Sequence, residues 1–285
     1  MKQRTIGGWP VGAIGLGAMP MSLQGRPARS RAIATIHAAL DAGVTFIDTA
    51  DAYCTSRADT GHNERLVAEA LRLRGADHEE VLVATKGGHV RPDDGSWIVD
   101  ARPEHLRAAC EASLRALDVD VIDLYQLHRP DPAVTFADSV GALADLRAEG
   151  KVRLVGLSNV TIEQIDVANT ILPVASVQNE LSPAFRSSGR ELAHCQELGI
   201  AFLAWAPLGG TGPAATLGST HRAFAEVAQR HGVSPQQVAL AWSLAQGEVV
   251  IPIPGASRPA TITDSASAAE LSLDEDELTV LGMVA

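Results

Sequence analysis

Short apolar runs alternate with longer amphipathic ones from one end of this chain to the other. That alternation limits the possible folds more than any other feature. Eight runs read as strands: residues 13–17, 45–48, 81–85, 121–127, 153–157, 175–178, 201–205 and 249–253. Each carries apolar residues on both sides of the pleat, as strands of a parallel sheet covered on both faces do. Repeated strand–helix units predict parallel pairing, and about eight of them predict a closed barrel rather than an open sheet. The 285 residues suit one such barrel, which typically needs about 250. Residues 4–11 read as a hairpin ahead of the first barrel strand. The expected architecture is therefore α/β, a (β/α)8 barrel with an N-terminal β-hairpin, as a single domain over 1–285. A doubly wound dinucleotide fold would want an early GxGxxG loop, and Gly15-Leu16-Gly17-Ala18-Met19-Pro20 lacks the third glycine.

Helix starts support the same frame. Ser30 is expected to cap a helix over 31–42 that closes at Gly43, and Pro103 sits in the first turn of one over 102–117. Thr161 and Gln164 form a capping box for a helix ending at Ile171. Ser234 starts another that runs to Ala245, and 274–281 reads as a short terminal helix.

Hydrophobic residues make up 46% of the chain and charged residues 20%, enough to bury a sizeable core. The net charge of −11 comes with no Lys/Arg cluster, which argues against a nucleic-acid partner. No apolar run is long enough to span a bilayer, and the N-terminus has no secretory pattern. Cys54, Cys110 and Cys195 are far apart, odd in number and without metal-ligand spacing. The expectation is a cytoplasmic protein with reduced thiols and no metal.

In a parallel barrel, polar residues at the strand C-terminal ends face the catalytic mouth. Those ends are heavily loaded here: Asp48-Thr49-Ala50-Asp51-Ala52-Tyr53, Thr85-Lys86-Gly87-Gly88, Gln126-Leu127-His128-Arg129, Ser158-Asn159, Gln178-Asn179-Glu180 and Trp205-Ala206-Pro207-Leu208-Gly209-Gly210. Lys86 is one of three lysines and Tyr53 one of two tyrosines. A lysine ending an apolar strand needs an anion beside it, and Asp48 on the adjacent strand is the natural partner. Such a pair is expected to lower the pKa of the Tyr53 phenol and let it exchange a proton near neutrality. His128 could then fix a carbonyl oxygen. These groups supply a proton and a clamp but no electrons, so a reduction requires an external hydride donor.

These motifs, in order at matching strand ends over nearly the whole chain, resemble those of the aldo-keto reductase family. The resemblance implies a catalytic tetrad of Asp48, Tyr53, Lys86 and His128, with Tyr53 as general acid and NADPH as hydride donor to a small carbonyl substrate. It implies nicotinamide contacts at Ser158, Asn159 and Gln178, with Trp205 stacking where most members have tyrosine. It places the diphosphate at Pro207, Leu208, Gly209 and Gly210, and adds Gly17, Met19 and Asp48 to the cofactor contacts. The adenosine end maps to Gly255, Ser257 and Arg258, the last two able to hold a 2′-phosphate, although Thr261, Asp264 and Ser265 depart from the family's usual residues there. Trp97 is a candidate for the substrate pocket together with His128. Cys54 reads as a small buried residue, Met21 as core filling, and Trp9 and Trp242 as packing. Two other functions fit the same residues: a Schiff-base lyase using Lys86, and a regulatory module that binds cofactor without turnover. The 177–180 and 207–210 motifs also resemble reductases of pyridoxal-like aldehydes.

Overall fold

The structure, a computed structural model, describes residues 1–75, 80–210 and 212–283. It opens with an antiparallel hairpin, β1 (Gln3–Ile6) on β2 (Trp9–Gly12). The two turn residues, Gly7 and Gly8, have φ of 56° and 85°, the left-handed pair that a tight hairpin turn demands and glycine adopts without strain. Then come β3 (Leu16–Gly17), α1 (Arg29–Asp41), β4 (Phe46–Asp48), α2 (His62–Arg74) and β5 (Leu82–Gly87). A small hairpin, β6 (His89–Val90) with β7 (Ile98–Val99), precedes α3 (Pro103–Leu117), β8 (Ile122–Leu127), α4 (Phe136–Ala148) and β9 (Val152–Ser158). The second half holds α5 (Ile162–Ile171), β10 (Ser176–Glu180), α6 (Gly189–Leu198), β11 (Ala201–Trp205), α7 (Pro213–Thr220) and α8 (Arg222–His231). It ends with α9 (Pro235–Ala245), β12 (Val250–Pro252), α10 (Pro259–Ser267) and α11 (Glu275–Leu281).

Eight strands run parallel in the order β3, β4, β5, β8, β9, β10, β11, β12. The seam between last and first is closed by backbone alone. Gly15 N–H donates to Pro252 O and Gly17 N–H to Pro254 O, both at 3.0 Å, and Gly17 bridges Gly255 in parallel. A Cβ on Gly17 would lie 2.8 Å from the Ile253 carbonyl, so this close approach of backbones requires glycine.

The period of two sorts the apolar side chains. Phe46, Leu82, Leu124, Leu203 and Ile251 fill the barrel interior, joined by Ile6 and Val11 from the hairpin. Ile47, Val83, Tyr125 and Phe202, each one residue along from an interior position, belong to the outer core beneath the helices. Burying such a side chain stabilises by roughly 1.5–3 kcal/mol, and nearly every strand contributes to both layers.

Seven of the eight expected strands lie within two residues of those observed. The first was expected over 13–17, but only Leu16 and Gly17 pair with β4. Ala13 N–H bonds instead to Lys2 O in the hairpin. The helix expected over 31–42 starts two residues earlier. Ala28 O accepts its first N–H groups, there is no side-chain cap, and Ser30 lies inside α1. The Thr161–Gln164 capping box, the Ser234 cap and the Asp274 start of α11 are all present.

Candidate active site

The strand ends converge on a cavity of about 1220 Å³. At its centre is an ion pair with no solvent exposure at Lys86 and 3% at Asp48. The Lys86 ammonium donates to Asp48 Oδ2 at 2.6 Å, to Thr49 O at 2.9 Å and to the Tyr53 hydroxyl oxygen at 2.9 Å, which uses all three of its protons. Asp48 Oδ1 accepts from Gln178 Nε2 at 2.8 Å and from Gln126 Nε2 at 3.3 Å. The ends of β4, β5, β8 and β10 are thereby tied together across the mouth. A buried pair survives desolvation only when its remaining lone pairs and protons are satisfied, and here they are.

This arrangement sets the charge states. Burial favours a neutral Lys86 amine, but Asp48 and Tyr53 outweigh it and hold the ammonium above its usual value. Burial also pushes the Tyr53 phenol up; Lys86 pulls it down and Asp48 adds a further rise. The net direction is upward, opposite to the lowering expected from the sequence, because desolvation of a phenolate exceeds the attraction of a lysine already neutralised by Asp48. Tyr53 is therefore a protonated phenol at neutral pH. Since its oxygen accepts from Lys86, its own proton is free for a ligand. Burial drives His128 well below the ordinary histidine value, helped by Lys86, His89 and Arg129. Its ring is a neutral imidazole, 5.6 Å from the Tyr53 ring and edge-on to it.

Trp97 stands 6.5 Å from the Tyr53 ring and 6.3 Å from His128, with the Arg91 guanidinium stacked 4.1 Å above it. It lines the cavity, as does His89 on β6, 4.3 Å from His128. His89 and Gln126 were not assigned a role from the sequence. Both sit at strand ends already marked by Lys86 and His128, and that position was the available signal.

The rest of the lining reaches towards α10. It includes Gly17, Met19, Ser158, Asn159, Gln178, Trp205, Pro207, Leu208, Gly210, Gly255, Ser257 and Arg258, together with Asp48, Tyr53 and His128. Two expected residues lie outside it: Lys86, behind Asp48 and Tyr53, and Gly209, in the turn against Pro213. Gly209 and Gly210 have φ of 83° and 95°, while Asn159 and Ala206 are non-glycine residues at 58° and 47°. Such backbone persists where the surroundings over-determine it, commonly at ligand sites. His128 Nδ1 and Trp205 Nε1 are buried polar atoms with no partner among the described residues. Thr261, Asp264, Ser265 and Gln236 complete the far end, where Asp264 accepts from Ser234 at 2.8 Å and Gln237 at 2.6 Å. Cys54 is fully buried and burial pushes its thiol up, so it is a packing residue. Met21 and Trp242 are buried in the core, and Trp9 packs at its edge beneath Arg153.

The sequence model of the Aldo/keto reductase family matches residues 13–281. This chain belongs to that family. It is 37% identical over 279 residues to the 6-dehydroglucose reductase of Novosphingobium aromaticivorans, covering 94% of this chain and 89% of that protein. The solved glycerol dehydrogenase of Gluconobacter oxydans is 30% identical, with a TM-score of 0.84 over 98% of this chain and 93% of its own. An aldo/keto reductase from Klebsiella pneumoniae, solved with NADP and acetate, is also 30% identical, with a TM-score of 0.82 over 98% and 94%. The barrel expected from the strand–helix alternation is thus the aldo-keto reductase barrel. No described helix is long and apolar enough to cross a membrane.

Proposed function

We propose that this aldo-keto reductase reduces an aldehyde or ketone to the alcohol with NADPH, and that Tyr53 is the general acid. The observation that carries this reading is the Lys86–Tyr53 hydrogen bond at 2.9 Å, which leaves a protonated phenol with its hydrogen available beside a neutral His128.

The cavity fits the dinucleotide in size, in the partnerless Trp205 Nε1 and in its left-handed backbone at 159, 206 and 210. Ser158, Asn159 and Gln178 would hold the carboxamide, and Trp205 would stack on the nicotinamide. Asn159 Nδ2 already bonds to His128 O and Ser158 Oγ, and Gln178 Nε2 to Asp48. The amide oxygen of each is left to accept from the carboxamide. Pro207, Leu208, Gly209 and Gly210 would cradle the diphosphate, with Gly17 and Met19 opposite. Gly255, Ser257 and Arg258 would take the adenosine 2′-phosphate, which a guanidinium binds well. Bound NADPH supplies the hydride.

The protein's own part is the oxygen. His128 and Tyr53 fix the carbonyl oxygen, and the Tyr53 proton passes to it as negative charge builds. The resulting phenolate faces the Lys86 ammonium, whose charge Asp48 holds in place. Proton donation of this kind typically contributes 10²–10⁴-fold. The Schiff-base alternative fares worse: Lys86 is fully buried with every ammonium proton bonded, a poor nucleophile. The same proposal takes the chain as one domain acting on small molecules in the cytoplasm. Three unpaired, buried cysteines support that setting.

The test is to follow nicotinamide absorbance with NADPH, then NADH, against 4-nitrobenzaldehyde, methylglyoxal and pyridoxal. Turnover with NADPH is expected. Nucleotide binding with no turnover of any carbonyl would point to a regulatory module. Activity lost irreversibly on borohydride treatment with substrate would point to Lys86 as a Schiff base.

A further inference from the structure

Four charged side chains line the described cavity: Asp48, Asp264, Arg129 and Arg258. Both acids are committed, Asp48 to Lys86, Gln126 and Gln178 and Asp264 to Ser234 and Gln237. Arg258 stands at the N-terminus of α10, at the adenosine end. Arg129 stands at the opposite end, directly after His128 where β8 stops. It is exposed and forms no hydrogen bond or ion pair among the described residues. The nearest acid along the chain, Asp131, does not neutralise it. Asp131 Oδ1 accepts from Ala133 N–H at 2.9 Å and Oδ2 from Ala101 N–H at 3.2 Å, so this carboxylate organises the loop.

Two further ionisable groups near Tyr53 lie outside the cavity lining: burial pushes the Asp51 carboxyl well above its usual value, and Arg91 is buried against Trp97 with its Nε donating to Cys54 O at 3.3 Å. Lys86 is balanced by Asp48, and burial holds both His128 and His89 below the ordinary histidine value. Arg129 is therefore an uncompensated cation at the substrate end of a cavity in a protein whose net charge is −11. The walls beside it, Trp97 and His89, are flat rings meeting edge to face at 5.4 Å, suited to a planar body between carbonyl and anion.

We propose that Arg129 selects carbonyl substrates bearing a carboxylate or phosphate a few bonds from the reacting carbon. This rests on the reductase reading above, with Arg129 as a specificity residue that takes no part in proton or hydride transfer. A guanidinium can take either anion through two parallel N–H bonds. Partial exposure makes the gain moderate and salt-dependent.

The test compares three probes of one shape: 4-formylbenzoate, 4-formylphenyl phosphate and neutral methyl 4-formylbenzoate. With wild type, KM for at least one charged probe should be roughly tenfold below that of the ester, with similar kcat, and the gap should shrink as salt rises. In Arg129→Gln the ratio of charged to neutral KM should collapse towards one, and Arg129→Lys should restore part of it. Whichever anion shows the preference identifies the group recognised. No preference in the wild type, or one that survives in Arg129→Gln, overturns the proposal. Should no probe turn over, calorimetric binding of 4-formylbenzoate to the NADP⁺-loaded protein still decides. Weaker binding by Arg129→Gln than by wild type supports the role of Arg129 and leaves only the reductase reading in question, whereas equal binding by the two removes that role.

Discussion

Tyr53 shows how far a residue's role can be read before its surroundings are known. Its place, with Asp48, Lys86 and His128, was legible because Asp48 and Lys86 are charges at the ends of apolar strands, too costly to bury unpartnered, and Tyr53 and His128 follow in the loops just beyond β4 and β8. Its pKa direction was not legible, because burial decided it and burial comes from chain segments distant in sequence. The direction has a consequence. Reduction needs the neutral phenol, and a phenol raised above its ordinary value keeps its proton throughout the neutral range. With His128 depressed well below its own ordinary value, neither group titrates near pH 7. The kcat/KM for reduction should be level through neutrality and fall only as pH rises past about 10, where unperturbed tyrosine titrates. A pH–rate profile with an alkaline limb near 7 would show that the phenol is not held as described.

Among elements, the helix starts most readable from sequence were those of α5, α9 and α11, which have side-chain caps, and α3, with proline in its first turn. The helices without a forecast start mostly lack that chemistry. No side chain caps α2, α4 or α6. In α7 and α10 a first-turn proline was an unused signal. The β6–β7 hairpin has two residues per strand, too few to show alternation, so His89 stayed hidden with it. Close packing between strands was equally invisible. A Cβ on Gly156 in β9 would strike the Ser176 hydroxyl and come within 3.0 Å of Gln126 Cγ. Gln126 in turn donates to Asp48. Gly156→Ala should destabilise the fold by about 1–3 kcal/mol and also lower kcat by disturbing that donor. Denaturant melts and kinetics on the same sample check both; an unaffected kcat would separate Gly156 from the site.

At the scale of the molecule, the barrel brings groups from opposite ends of the chain to one mouth: Gly17 beside Gly255, and Asp48 bonded to Gln178 across 130 residues of sequence. Strand–helix alternation was enough to foresee that closure, because each parallel strand buries both faces. The extent of the cavity, and which of its charges are spent, depended on side-chain pairings that no periodicity encodes. A ligand filling so much of the mouth should stabilise the whole domain. NADPH at a hundred times its Kd contributes about 2.7 kcal/mol, roughly 4–5 °C in Tm for a chain of this size. Arg258→Gln should shrink the NADPH shift and spare the NADH shift; equal losses would place the 2′-phosphate elsewhere. The most direct test of the central claim is Tyr53→Phe, with turnover and NADPH binding measured on one preparation. The hydroxyl is the only group removed, so kcat should fall at least 10²-fold while NADPH affinity stays within about twofold of wild type. Rates like those of the wild type would show that the proton comes from another group.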